Sequence, residues 1–234
     1  MKYSIIIPAF NEAGYIENAV EALKNQTVDR KDFEIIVVDN NSTDGTSRIA
    51  TAAGADKVVL ETEPGTNIAR QRGVVESSGE IVAFLDADCI PPSDWLEQIG
   101  TFLSNGDLKA VSGPCDMQFT GLYRMIEVLY TRYIFSNLDR MLHFVFRKKA
   151  GVIMGGNFAA HRTTIDAIGG LPRYKFHGDD SAVAMHISRK LGKVMFSRNF
   201  RVFSSPRRFE SEGPLWLTLK YAWYYLKNYF FLKA

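Results

Sequence analysis

Hydrophobic residues in the first half of the chain follow two alternating patterns. Short unbroken runs, "YSIIIPA" (3–9), "FEIIVVD" (33–39), "KVVLE" (57–61) and "EIVAFLD" (80–86), are rich in Ile and Val and lack the alternation of a half-solvated strand. They fit strands buried on both faces. Between them, apolar residues recur at helical spacing over 12–25, 43–54 and 66–78, with Asn11, Ser42 and Thr66 placed where helix caps are expected. Strands alternating with helices predict βαβ units: an α/β fold built on a single mostly parallel sheet flanked by helices. In the second half a helical pattern runs from Asp179 to Lys190. Two amphipathic stretches accompany it, 119–147, with Arg124, Arg132 and Arg140 among aromatics, and "LWLTLKYAWYYLKNYFFL" (215–232). Lys220, Lys227 and Lys233, three lysines in the last twenty residues, argue against a membrane-spanning helix.

Sheets of this kind bind ligands beyond the carboxyl ends of their strands, where helix N-termini present free N–H groups. Polar residues gather there: "PAFNE" after the first run, "DNNSTDG" after the second and "DAD" at the end of the fourth. If the fourth strand continues through Asp86 and Asp88, both carboxylates point to one face. They repel unless a cation lies near, and Mg2+ or Mn2+ suits one or two carboxylates completed by water and substrate phosphates. The plainer alternative is a solvated strand end capping a helix near Ser93. Neither GxGxxG nor GxxxxGK is present, which sets aside the dinucleotide-binding and P-loop chemistries.

Composition adds limits. At 234 residues, 46% hydrophobic and 23% charged, the chain can bury one large core, and one domain with an appended segment is the simplest organisation. Two cysteines without CxxC spacing or a histidine cluster indicate neither a disulfide scaffold nor a zinc site, and a reducing compartment fits. Pro8 and Glu12 interrupt the first apolar run before it could act as a signal-peptide core, so a cytoplasmic protein is expected. The net charge of +2 hides an asymmetry. Residues 1–118 hold 9 Lys and Arg against 19 Asp and Glu, a balance of −10, whereas residues 119–234 hold 19 against 7, a balance of +12. That implies an anionic partner for the second half. With no basic run beyond "RKK" (147–149) and no recognition motif, nucleic acid is not indicated; a phosphorylated small molecule or an anionic membrane surface is.

Six stretches, "SIIIPAFNEAGYI", "IIVVDNNSTDGT", "NIARQRGV", "GEIVAFLDADCIPP", "GGNFAAHRTTIDAIGGL" and "GDDSAVAMHISRKLGKV", stand in the order seen in family 2 glycosyltransferases of the GT-A fold. The chain resembles that family over residues 3 to about 210. The resemblance implies a GT-A domain over 1–210; the aromatic-rich amphipathic segment 211–234, read as a helix from its own residues, lies outside the shared pattern. The resemblance also implies a nucleotide over the first strand ends, with Pro8, Phe10 and Glu12 lining the pocket, Asp39 bonded to the base and Arg70 holding the nucleotide, although Gln71 replaces the usual Asn. "DAD" then matches the DXD motif: Asp88 would bind the divalent ion and Asp86 would contact ribose or metal-bound water.

The same resemblance makes Asp180 the general base of inverting transfer, with Asp179 beside it on the donor side and next in line for the base. Gly155, Gly156 and Asn157 match a turn that brings backbone to the donor sugar. His186 stands where Arg is common. Arg207 and Arg208 fall where a processive branch carries a diphosphate-contacting motif that is not itself matched. Each residue also has a plainer reading: Glu12, Asp179 and Asp180 as first-turn acids favoured by the helix dipole, Asp39 as an Asx-turn residue, Arg70 as a surface charge, the glycines as a tight turn.

The expected activity is metal-dependent, inverting transfer of a sugar from a nucleotide-diphosphate donor to a hydroxyl acceptor. The basic second half and aromatic end segment suit peripheral contact at the inner face of the cytoplasmic membrane and a lipid-linked saccharide acceptor. The alternatives are a nucleotidyltransferase, which lacks its Gly-rich basic first loop here, and a catalytically silent binding module, against which the retained "DAD" and "GDD" argue.

Overall fold

The computed structural model describes residues 1–104, 106–117, 151–173, 178–207 and 213–232, together with Met125, Asn137, Met141 and Phe144. Arg208 and most of the amphipathic stretch 119–147 lie outside the described residues. The strands are β1 (Tyr3–Ala9), β2 (Phe33–Asp39), β3 (Lys57–Leu60), β4 (Ile81–Leu85), β5 (Cys89–Ile90), β6 (Leu108–Ser112), β7 (Cys115–Met117), β8 (Asn157–His161), β9 (Lys193–Phe196) and β10 (Val202–Ser204). The helices are α1 (Ile16–Lys24), α2 (Thr46–Ala53), α3 (Thr66–Glu76), α4 (Trp95–Leu103), α5 (Arg162–Ala167), α6 (Asp179–Lys190) and α7 (Pro214–Phe231).

A seven-stranded sheet has the order β3-β2-β1-β4-β8-β6-β9. Its first four strands are parallel, β8 runs antiparallel to β4 and β6, and β6 pairs β9 in parallel. The sheet is therefore mostly parallel, as the alternating pattern predicts. A three-stranded sheet, β5-β10-β7, crosses beside it and carries the chain out of the "DAD" segment.

Alternation along the central strands divides the core into two layers. Ile5 and Ile7 of β1 pack with Ile16, Val20 and Leu23 of α1 and with Trp95 and Ile99 of α4. Ile6 of the same strand packs with Ala69 of α3, Ile165 of α5 and Val183 and Ile187 of α6. Both faces being covered explains why β1, β2 and β4 read as unbroken apolar runs. "KVVLE" differs: β3 is an edge strand, partly open along its length.

The predicted caps are corrected. α1, α2 and α3 are preceded by Tyr15, Gly45 and Gly65, none with a side-chain cap bond, and Thr66 is already helical. Asn11 and Ser42 instead join two loops, Ser42 Oγ accepting from Asn11 N at 2.9 Å and Asn11 Oδ1 accepting from Thr43 N at 2.9 Å. Short polar side chains bond neighbouring backbone as readily in a loop as at a helix start. They fix the two strand-end loops against each other.

Candidate active site

β4 stops at Leu85, and Asp86–Ala87–Asp88 forms a turn closed by Cys89 N donating to Asp86 O at 3.0 Å. This corrects the expectation of a strand running through both acids. The turn lets the two carboxylates take different cationic partners. Asp86 Oδ1 accepts from Arg70 Nη2 at 2.8 Å, whereas Asp88 Oδ2 lies 3.4 Å from Arg207 Nε.

Arg70 is the hub. Its side chain is 3% exposed, so the reading as a surface helix charge fails. Nη1 donates to Asp180 Oδ1 at 3.0 Å and to Asn67 Oδ1 at 3.1 Å. One buried guanidinium thus links the fourth strand end to the N-terminus of α6, a use for which the planar donor fork of arginine is suited. A lysine would have to serve both carboxylates from a single nitrogen.

Asp180 opens α6 together with Asp179. Its Oδ2 accepts from Gly155 N at 2.8 Å. Burial, then the neighbouring Asp179 charge, push its carboxyl up to about 7 against the pull of Arg70. Asp179 is raised as well, first by burial. A carboxylate poised near neutral pH and held by two donors is suited to accept a proton from a hydroxyl. Glycine is required opposite it: a Cβ on Gly155 would stand 2.4 Å from Asp180 Oδ1 and 2.5 Å from Arg70 Nη2, and one on Gly156 2.6 Å from Asp86 Oδ2. The glycines approach these carboxylates, rather than serving only as a bare turn.

Glu12 and Arg207 close the other side. Arg207 Nη2 donates to Glu12 Oε1, and its guanidinium carbon lies 4.6 Å over the Tyr15 ring. Glu12 is raised by burial, with Arg207 opposing and the charges of Asp88 and Asp86 adding to the rise. Its Oε2 is buried without a partner among the described residues. Three acids thus share one edge, with a carboxylate oxygen unpartnered among the described residues and the Arg207 guanidinium between Glu12 and Asp88. Among the described residues no three ligand-type side chains converge to hold a metal unaided. A divalent ion bound through one or two carboxylates and completed by phosphate oxygens fits this donor set.

Residues 4–169, more than half of the chain, match the family model described as Glycosyl transferase family 2. The chain belongs to this family. Among similar proteins is Glycosyltransferase AglE of Haloferax volcanii, 33% identical over 203 residues, covering 84% of this chain and 63% of the relative. The Probable glycosyltransferase YdaM of Bacillus subtilis is 28% identical and is spanned over 52% of its length. The chain therefore spans less than two thirds of these curated relatives.

Of the solved structures, the mannosyltransferase PcManGT from Pyrobaculum calidifontis, in complex with GDP-Man and Mn2+, superposes with a TM-score of 0.67 at 26% identity, covering 87% of this chain and 56% of that one. Glucosyl-3-phosphoglycerate synthase from Mycobacterium tuberculosis, in complex with Mg2+ and UDP, gives a TM-score of 0.70 at 22% identity, covering 100% of this chain and 81% of that one. These neighbours establish the GT-A fold.

In this family 2 member the remaining predicted residues fall into two groups. Phe10 is 59% exposed at the end of β1, open to a ligand, while Pro8 is buried within the strand. Asp39 is buried and its carboxylate accepts from Ser42 N, three residues on, at 2.8 Å and from Ser47 Oγ of α2, so it braces its own loop rather than closing an Asx-turn. Asn157 does not face the site. Its side chain is 0% exposed; Trp95 Nε1 donates to Oδ1 at 2.9 Å, and Nδ2 donates to Phe200 O at 2.9 Å. Its amide has both an acceptor and a donor to satisfy, and the core supplies partners for both.

Asn67 escaped the sequence reading, and Gln71 was read there only as a departure from the usual Asn, without a role. Asn67 fixes Arg70 and donates to Pro172 O at 3.3 Å; its position one turn before Arg70 in "NIARQRG" was the available signal. Gln71 accepts from Leu171 N at 2.8 Å, so it secures the loop before α6. His186 is half-buried with Nδ1 unpartnered among the described residues, and burial followed by Lys190 and Arg189 hold its proton affinity down.

Proposed function

We propose that the protein catalyses inverting transfer of a sugar from a nucleoside diphosphate to a hydroxyl acceptor, with the catalytic unit in 1–210. The observation that carries this is the Asp180 carboxylate, held by Arg70 and Gly155 N–H, raised to about 7, and tied through the same guanidinium to Asp86. The acceptor oxygen attacks the anomeric carbon and loses its proton to Asp180, while the bond from that carbon to the diphosphate oxygen breaks on the opposite side. Phe10 and Glu12 line the nucleotide pocket, and Arg207 faces the departing diphosphate.

Asp88, with Asp86 as a secondary ligand, would hold a divalent ion. When bound, such an ion neutralises charge on the leaving diphosphate. The relatives solved with GDP-Man and Mn2+ and with UDP and Mg2+ support both the donor class and the ion. A hydroxyl on a lipid-linked saccharide at the inner face of the cytoplasmic membrane is the acceptor that best suits the +12 balance of residues 119–234.

The test is a thermal-shift screen of nucleotide sugars with Mn2+, since a ligand that binds only the folded state raises its stability by mass action. One donor class should raise the midpoint in the presence of Mn2+, and the same donor should then support transfer with inverted configuration. Absence of any shift with all nucleotide sugars tried, with or without Mn2+, would sink the reading.

A further inference from the structure

We propose that α7 is a membrane-docking helix whose outer stripe, Trp216, Leu219, Trp223, Leu226 and Phe230, lies on an anionic bilayer surface. The five residues alternate in steps of three and four, which places them along one side of a helix. Each is between 40% and 67% exposed. The fold already accounts for the other side. Tyr225 and Tyr229 are buried with Val152 and Met185, Tyr225 donates to Gly151 O at 3.1 Å, and Arg189 donates to Tyr229 O at 2.8 Å and Leu232 O at 3.1 Å. The aromatics of the end segment therefore divide: the two buried tyrosines cover the core, and the stripe keeps 40% or more of each side chain exposed. A contiguous apolar stripe of this size marks a contact surface, unlike scattered single residues.

Charge selects the occupant. Pro214–Phe231 contains no Asp or Glu, and Lys220 and Lys227 each follow a stripe tryptophan by four residues, so both border the stripe on the same side. Tryptophan beside lysine suits the headgroup level of an anionic bilayer. A seam between two copies favours Leu, Ile or Val at such positions, and tryptophans fill two of them here. Among the described residues no helix is long and apolar enough to cross a membrane, so the helix lies on the surface.

The inner face connects this surface to the chemistry. Asn228 Nδ2 donates to Gly178 O at 2.5 Å and to Ser181 Oγ at 2.8 Å, so α7 grips the residues immediately before and after Asp179 and Asp180. The inference deepens the proposed function, resting on it for a lipid-linked acceptor that reaches the base from the bilayer side.

Flotation of the chain with vesicles of phosphatidylcholine alone and of phosphatidylcholine with phosphatidylglycerol tests it without substrate. The chain should float with the anionic vesicles and be released by high salt. Trp216→Ser with Trp223→Ser should lower the bound fraction at least tenfold, and Lys220→Glu with Lys227→Glu by roughly tenfold or more. The thermal midpoint and donor binding in solution should stay unchanged in both. Nucleotide binding without vesicles reports separately on the transferase reading, so its loss would leave the flotation result standing. The proposal is overturned if the chain stays in the dense fraction with both vesicles, or if neither pair of substitutions alters flotation. It is equally overturned if light scattering shows a dimer that the tryptophan substitutions convert to monomer. Should the tryptophan variant fail to fold, the lysine variant alone decides.

Discussion

Arg70 Nη1 donates to Asp180 Oδ1 at 3.0 Å, joining residues 110 positions apart in the chain. The same guanidinium donates to Asp86 at 2.8 Å, so the proposed base and the donor-side carboxylate share one buried cation. Arg70 also counters the burial and the Asp179 charge that raise Asp180. It therefore both positions the proposed base and lowers the pH at which that carboxylate ionises.

Arg70→Gln should lower turnover by roughly a hundredfold through the lost alignment. It should also move the acid limb of the rate profile to higher pH, because the removed charge favours ionised Asp180. A merely structural arginine would lower activity at every pH without moving that limb. Removing a buried ion-pair partner should cost on the order of 3 kcal/mol of stability, so the pH profile is to be measured at a temperature well below the variant's midpoint. Arg70→Lys should not restore the wild-type rate, since an ammonium lacks the planar two-nitrogen fork that serves the two acids separately.

For the wild-type chain, the rate should rise with pH through about 7, as Asp180 loses its proton. Burial raises Asp180 first and the Asp179 charge second. Asp179→Asn removes only the second cause, so the limb should move to lower pH. Asp180→Asn should lower turnover by roughly a hundredfold or more while donor affinity stays near normal. Full activity in Asp180→Asn would transfer the base to another group, Asp179 being the first to try.

Arg207 links Glu12 and Asp88 across the proposed diphosphate site. Asp88→Ala should abolish the part of donor affinity that depends on Mn2+, measured by calorimetry with and without the ion. Arg207→Met should weaken the donor in both conditions, because a guanidinium contacts phosphate directly. If donor affinity proves independent of Mn2+ in the wild type and unchanged by Asp88→Ala, Asp88 has no metal role.

The central strands were legible because strands covered on both faces must be apolar throughout, and β1 and β2 coincide with the runs read from sequence. Asp179–Lys190 was legible for a related reason, a helical period opened by two acids. The start of α1 was not legible. Residues 12–15 continue the helical pattern but are held by bonds to the next loop, Ala13 N donating to Asp44 Oδ2 at 2.9 Å and Glu12 N to Thr46 Oγ1 at 2.9 Å. Asn157 shows the same limit in the site. Its neighbours Gly155 and Gly156 do face the carboxylates, yet its amide turns to Trp95 and Phe200. Which way a polar side chain turns depends on partners more than forty residues distant, and no local pattern carries that.

Glu34 gives a test confined to stability, because it lies at the opposite end of the sheet from the site. It pairs in register with Ser4 near the start of β1. Oε1 accepts from Ser4 Oγ at 2.7 Å, Ser78 Oγ at 2.7 Å and Ser78 N at 2.6 Å, and Oε2 lies 3.1 Å from Lys57 Nζ. Burial alone would raise this carboxyl, but the hydrogen bonds from Ser78 and Ser4, with Lys57, more than reverse that and lower it to about 2. A folded value below the unfolded one means that the stabilisation is complete above the ordinary carboxylate value of 4.5 and is lost as pH falls from there through about 2. Glu34→Gln should therefore cost roughly 2–3 kcal/mol at neutral pH, with donor affinity unchanged. The difference between the two chains, read from urea unfolding at a series of pH values, should narrow steadily on acidification below 4.5. A gap that keeps its neutral size at pH 3 would show that shape and packing, rather than the ionised carboxylate and its donors, make Glu34 important there.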